Sequence, residues 1–149
     1  MKKKLLFTFL IVLSTQLFSL ESYTTYEAKD KYGYNVTYVK VNGFEKPLEL
    51  LVGVGTPKVL NMTSLSPHIK LLNCFGGDLG TSTMVGYFYT YILNTKTKKV
   101  IGLFEYYDDY GAYSLVDKQA VWKLKKDIVE VVQYNMDEDK YITKVFKVD

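Results

Sequence analysis

Residues 84–94 read MVGYFYTYILN. On a strand, successive side chains point to opposite faces. Val85, Tyr87, Tyr89, Tyr91 and Leu93 then share one face, and Met84, Gly86, Phe88, Thr90 and Ile92 share the other. Both faces are largely apolar. A half-exposed strand alternates apolar with polar residues, so this pattern predicts a central strand covered on both sides.

The same alternation runs along the chain. Residues 23–29 and 35–41 are rich in Tyr, Thr and Val, and Lys31, Tyr32 and Gly33 interrupt them. Asn42-Gly43 is a hairpin signal of the type I′ kind, with residues 44–54 as the return strand. Pro47 cannot donate to a ladder, so that return is expected at an edge or irregular. Residues 55–67, with Gly55, Pro57 and Pro67, read as a connection, and residues 68–75 as a strand. Residues 94–99 form a polar turn, and residues 100–107 return from it. Asp108-Asp109-Tyr110-Gly111 reads as the next turn, followed by a short strand over 112–116. Residues 121–124 and 128–134 flank a hairpin at Lys125-Lys126-Asp127, and residues 141–148 form the last strand. Val116, Ala120, Leu124 and Ile128 also fall at i, i+4 spacing, so a short helix near 115–126 competes. Strands are preferred there, because Trp122 and Leu124 alternate with Lys123 and Lys125. About eight or nine short strands with hairpin connections predict one mainly antiparallel β domain, a sandwich or an up-and-down barrel.

Composition agrees with one domain and narrows the chemistry. The chain has 149 residues, 48% of them apolar and 23% charged, which is globular and within the size of a single domain. One Cys and one His exclude a disulfide framework and a zinc-finger array. Cys74, between apolar neighbours, reads as a small buried hydrophobe.

The N-terminus has the order of a secretory signal peptide. Lys2, Lys3 and Lys4 precede an apolar run over 5–13 (LLFTFLIVL), and small residues follow at Ser14, Ser19 and Ser22. Extended to Leu20, the run is still shorter than the ~20 apolar residues that span a bilayer, so no stable membrane insertion is expected after cleavage. Cleavage is expected after Ser19 or Ser22, leaving residues 20–149 as the mature domain in the periplasm or the medium. Removing the first 19 residues takes away three lysines and no acid. That leaves 16 lysines against 16 acids, so the net charge falls from +3 to about zero. A neutral chain without arginine is not expected to bind nucleic acid.

Sites of chemistry are sparse. His68 has only Ser64 and Ser66 as nearby hydroxyls, without a nucleophile-elbow motif. Cys74 lies about 20 Å from His68 along an extended strand. Glu105 and Glu130 are the most strand-embedded acids and the best pair for glycoside chemistry. Consecutive acids at Asp108-Asp109 and at Asp137-Glu138-Asp139 lack calcium-loop spacing and read as turn tips. No catalytic residues, metal or cofactor are therefore expected.

The distinctive stretch is Glu105-Tyr106-Tyr107-Asp108-Asp109-Tyr110-Gly111-Ala112-Tyr113, which gathers four tyrosines and three acids. Tyrosine offers a large rigid surface at low entropy cost, and acids beside it suit a basic partner. Glu105, Tyr106, Tyr107, Asp108, Asp109, Tyr110 and Tyr113 are the expected contact for a protein partner, in the manner of an inhibitor or immunity protein. A loop holding Gly76, Gly77, Asp78 and Gly80 is a secondary candidate, where the backbone can approach a partner closely. The alternative is a lipocalin-like barrel carrying a small apolar ligand, with Tyr87, Tyr89 and Tyr91 lining the cavity.

Overall fold

The computed structural model describes residues 23–52, 55–79, 85–109, 120–135 and 138–149. The expected leader over 1–19 and its cleavage points therefore lie outside the described residues. Among the described residues there are ten strands: β1 (Tyr23–Lys29), β2 (Asn35–Val41), β3 (Leu48–Glu49), β4 (Lys58–Ser64), β5 (Ile69–Leu79), β6 (Val85–Asn94), β7 (Lys99–Asp109), β8 (Val121–Lys125), β9 (Ile128–Asn135) and β10 (Lys140–Lys147). They form three antiparallel sheets of order β1-β2-β3, β4-β5-β6-β7 and β10-β9-β8.

The two faces of β6 explain how the sheets stack. Tyr87, Tyr89 and Leu93 pack with Leu72 and Cys74 of β5 against Val39 and Val41 of β2, Phe44 and Leu50. From the opposite face, Ile92 packs with Ile69 and Leu71 against Val129 of β9, flanked by Trp122, Leu124 and Phe146. The four-stranded sheet is thus the middle layer of three, and β6 is covered on both sides as its pattern requires. Close approach of the third layer depends on Gly102 of β7. A Cβ placed there would lie 2.3 Å from Cδ1 of Phe146. Asn94 joins the same layers at the end of β6. Its Oδ1 accepts from the Lys96 and Thr97 N–H groups and shapes the turn, while its Nδ2 donates to the Val148 carbonyl at 3.1 Å.

Several sequence expectations need correction. The connection over 55–67 contains β4. Its Asn, Thr and Ser residues look like loop residues, but they bind across the sheet. Asn73 Nδ2 donates to Asn61 Oδ1 at 2.6 Å, and Lys70 Nζ donates to Ser64 Oγ at 2.7 Å. The glycine-rich stretch does not begin a loop at Gly76. Strand β5 continues through Gly76, Gly77 and Asp78, and a register shift between Phe75 and Gly77 absorbs the extra residue. Asp108 and Asp109 likewise continue β7, paired with Gly86 and Val85. Over 121–125 the competing helix is replaced by β8, whose Trp122 and Leu124 sit opposite Val131 and Val129. The Asn42-Gly43 turn has a positive φ only at Gly43 (82°), with Phe44 N–H donating to the Val41 carbonyl. That is the sign pattern of a type II turn, not type I′. The return strand reduces to the two residues of β3 after Pro47. Strands number ten, and the three open sheets make this a layered sandwich; among the described residues no sheet closes into a barrel. The short strand expected over 112–116 lies outside the described residues.

Gly102→Ala should lower stability by about 1–3 kcal/mol, the range for overpacking a filled core. Shortening the opposing ring in the Gly102→Ala, Phe146→Leu double variant should recover part of that loss. Urea denaturation midpoints of the four proteins in this cycle test the contact; additive losses would show that Gly102 and Phe146 do not share it.

Candidate functional site

Residues 105–109 of the Tyr/acid stretch occupy the second half of β7, an outer strand of the middle sheet among the described residues. Strand alternation divides it between two faces. Glu105 and Tyr107 lie opposite Tyr89 and Tyr87 and share the face turned toward β1-β2-β3. Tyr106 lies opposite Phe88 and points to the other layer. It stacks on Phe88 at 5.4 Å and on Phe104 at 6.0 Å between ring centroids. Tyr106 is therefore half-buried packing, while Tyr107 is 56% exposed. Asp108 and Asp109 continue the strand; Tyr110 and Tyr113 lie outside the described residues. Glu105 and Tyr107 are thus brought together, and Tyr106 is separated from them.

Tyr107 is exposed but held. Its ring stacks on Tyr87 at 5.6 Å with 26° between planes. The Tyr87 hydroxyl in turn donates a short hydrogen bond to Glu105 Oε1. Burial, then the adjacent Glu105 carboxylate, push the Tyr87 phenol well above its ordinary range. The aromatic run continues inward. Tyr89 packs 5.4 Å from Tyr87, and Tyr91 meets Tyr89 edge-on at 5.8 Å. Tyr91 is fixed by its hydroxyl, which donates to the Glu49 carbonyl at 2.6 Å, and burial raises its phenol to about 12. Tyr89 is wholly buried among these rings. These rings fill the space between two layers.

The glycine-rich site has an internal reason. A Cβ on Gly76 would stand 2.4 Å from the Tyr87 ring and 2.8 Å from the Leu51 carbonyl, so the close approach is to the chain itself. Gly77 has φ of 105°, a conformation that side chains other than glycine rarely adopt. Asp78 keeps one carboxylate oxygen, Oδ1, buried and without a hydrogen-bond partner among the described residues. Gly80 lies outside the described residues.

The groups considered for catalysis are dispersed. Ser66 Oγ accepts from the His68 and Ile69 N–H groups and organises the turn before β5. Ser64 is held by Lys70. Cys74 is buried, its Sγ–H directed at the Leu72 carbonyl at 3.7 Å, and burial pushes the thiol up to about 12. Glu130 pairs with Lys125 at 2.7 Å on the solvent side of the third sheet, a layer away from Glu105. Among the described residues no three His, Cys, Asp or Glu side chains converge on a point that would hold a metal ion.

Two surface features escaped the sequence reading. At the β1–β2 tip, Asp30 Oδ1 accepts from the Tyr32 and Tyr34 N–H groups, and both rings are about 70% exposed (72% and 71%). The signal was Asp30 followed by Gly33, which reads as a side-chain-capped turn once taken as a unit. The second feature is a cleft of about 310 Å³ between β1 and the start of β4, lined by Tyr23, Thr24, Thr25, Thr37, Leu50, Pro57, Lys58 and Val59. It joins residues distant in sequence, so no local pattern reveals it.

The raised phenols set an alkaline limit. An unfolded tyrosine ionises near 10, whereas Tyr91 in the fold ionises at about 12. The unfolded chain then holds fewer protons than the native one, so stability is complete below pH 10 and falls as pH rises from 10 to 12. Tyr91→Phe should lower stability at neutral pH by losing the bond to Glu49, and should flatten the alkaline decline. Urea midpoints across this range, followed with tyrosinate absorbance, measure both effects.

No protein-family model, no curated protein and no solved structure matches this chain in comparisons with each.

Proposed function

We propose that this chain is an exported, non-enzymatic protein that works by binding another protein, in the manner of an inhibitor or immunity protein. The observation that carries the reading is the Tyr107–Tyr87–Glu105 arrangement on the edge of the middle sheet. An exposed ring loses side-chain entropy when a partner immobilises it. Here the stack on Tyr87 has already fixed Tyr107, and the hydrogen bond to Glu105 has fixed Tyr87. Pre-set aromatic surface of this kind is what hot spots at protein interfaces use. The Glu105 carboxylate beside it favours a partner that presents Lys or Arg. The leader-like N-terminus and the neutral mature chain support export and argue against a nucleic-acid partner.

Affinity capture from envelope extract with the mature protein supplies the partner, and calorimetry with that purified partner supplies the test. Tyr107→Ala should weaken binding by about 2 kcal/mol or more. Glu105→Gln should slow association and make it less dependent on salt. Unchanged affinity in the double variant would overturn the assignment of this surface.

A further inference from the structure

The tyrosine column of β6 and β7 has a chemistry that packing does not use. Cross-strand pairing sets its rows. Tyr87 lies opposite Tyr107, and Tyr89 lies opposite Glu105. Paired residues point to one face, so Glu105 is one row from Tyr87 and within its reach on the diagonal. The rings run from surface to core: Tyr107 is exposed, Tyr87 is buried and Tyr89 is wholly enclosed. Successive centroids are 5.6 Å and 5.4 Å apart, with 26° and 34° between planes. Rings at this separation are in contact, and an electron passes readily between them.

At neutral pH a phenol gives up an electron together with its proton, because the cation left by the electron alone is a very strong acid. A base must therefore stand at the hydroxyl. Tyr91 donates to the Glu49 carbonyl, which does not keep a proton. Tyr87 donates to the Glu105 carboxylate, which does. Burial and that carboxylate hold the Tyr87 phenol protonated well above neutral pH. Its proton has to leave with the electron, and Glu105 is placed to take it. Tyr134 and Asp139 form a second phenol–carboxylate pair on the third sheet, with Tyr141 at 5.3 Å. Tyr134 has no stack leading into the core.

We propose that Tyr107 is the site at which one-electron oxidants modify this protein, and that Tyr87 and Glu105 deliver the oxidation to it. The oxidant, a metal-centred or radical species that accepts one electron, meets the exposed Tyr107 ring and draws an electron from Tyr87 through the stack. The Tyr87 O–H bond breaks, its proton bonds to Glu105 Oε1, and a neutral phenoxyl radical remains on Tyr87. The enclosed Tyr87 ring is not open to a second large radical. Tyr107 next gives Tyr87 an electron, Glu105 returns the proton to Tyr87, and Tyr107 releases its own proton to water. The radical now stands on an accessible ring. Two Tyr107 radicals join through the carbons ortho to their hydroxyls, and each ortho hydrogen moves as a proton to its own oxygen. Exposure alone would favour Tyr32 and Tyr34, which are 72% and 71% exposed against 56% for Tyr107. This reactivity belongs to the free protein and does not require the partner proposed for the same surface.

Ruthenium(III) tris-bipyridyl, generated by a light flash, is a freely diffusing one-electron oxidant and serves as the probe. Dityrosine-linked dimers of the mature protein, digested and mapped by mass spectrometry, should carry the link at Tyr107 ahead of Tyr32 and Tyr34. Urea denaturation should erase that order. If the order persisted, local sequence and not the column would set it, and the proposal would fall. Glu105→Gln keeps a hydrogen-bond acceptor for Tyr87 but removes the proton acceptor, and should slow linkage at Tyr107 about tenfold or more. Tyr87→Phe keeps a stacked ring but removes the oxidisable phenol, and should bring Tyr107 down to the level of Tyr32 or below. Linkage through Tyr32, read in the same digest, should stay unchanged in both variants, because no phenol–carboxylate pair feeds it. Leadership by Tyr32 or Tyr34 in the native wild-type protein, or undiminished linkage at Tyr107 in the two variants, would overturn the assignment.

Discussion

Burial of β6 on both faces is the constraint from which the architecture follows. A strand with Tyr87, Tyr89 and Leu93 on one side and Ile92 on the other cannot satisfy both with one covering layer. Two further sheets are required, and each must come close enough to exclude water. The glycines mark where that closeness is extreme. Gly102 admits the Phe146 ring from the β10 side, and Gly76 admits the Leu51 carbonyl from the other, beside the Tyr87 ring of its own sheet. The bulge at Gly76 also lets β5 run on as far as Leu79 while keeping Leu72 and Cys74 in the first core and Ile69 and Leu71 in the second.

Much of this was legible in the sequence because the middle strand carries the signal alone. The two-faced pattern of residues 84–94 identifies a central strand without knowledge of its neighbours. Its neighbours were harder. In strand β4, Asn61 and Thr63 reach Asn73 on one face and Ser64 reaches Lys70 on the other, and such residues are indistinguishable from loop residues until the partner strand is known. The glycines of β5 read as a turn for the same reason. A glycine required by a close ring or carbonyl and a glycine required by a loop are written identically.

The candidate site was legible in composition and illegible in orientation. Four tyrosines within nine residues suggest a surface, but strand alternation sends Tyr106 into the Phe88–Phe104 stack and leaves Tyr107 exposed. Tyr106 and Tyr107 already fell within the return strand expected over 100–107, and taking all four tyrosines together as one contact passed over the alternation that separates them. The same physics makes the remaining contact more specific. Tyr107 gains its fixed orientation from Tyr87, and Tyr87 gains its own from Glu105 and the inner rings. Core and rim are one continuous aromatic column, so the ring offered to solvent inherits rigidity from the packing beneath it.

A three-sheet sandwich has six outer strands, and each unpaired edge is a template for unwanted pairing. Most of these edges carry a recognisable deterrent. β3 is two residues long and follows Pro47. β4 is bulged between Val59 and Asn61. β8 carries Lys123 and Lys125, β10 carries Lys140, Lys144 and Lys147, and β7 ends in two aspartates. On β1 the deterrents are Glu27 and Lys29, which leaves Tyr23, Thr24 and Thr25 uncharged. Leaving one uncharged stretch of three strong β-formers in such a molecule is costly unless its surroundings limit what can pair there. The start of β4 provides that limit, because it faces the stretch across the cleft.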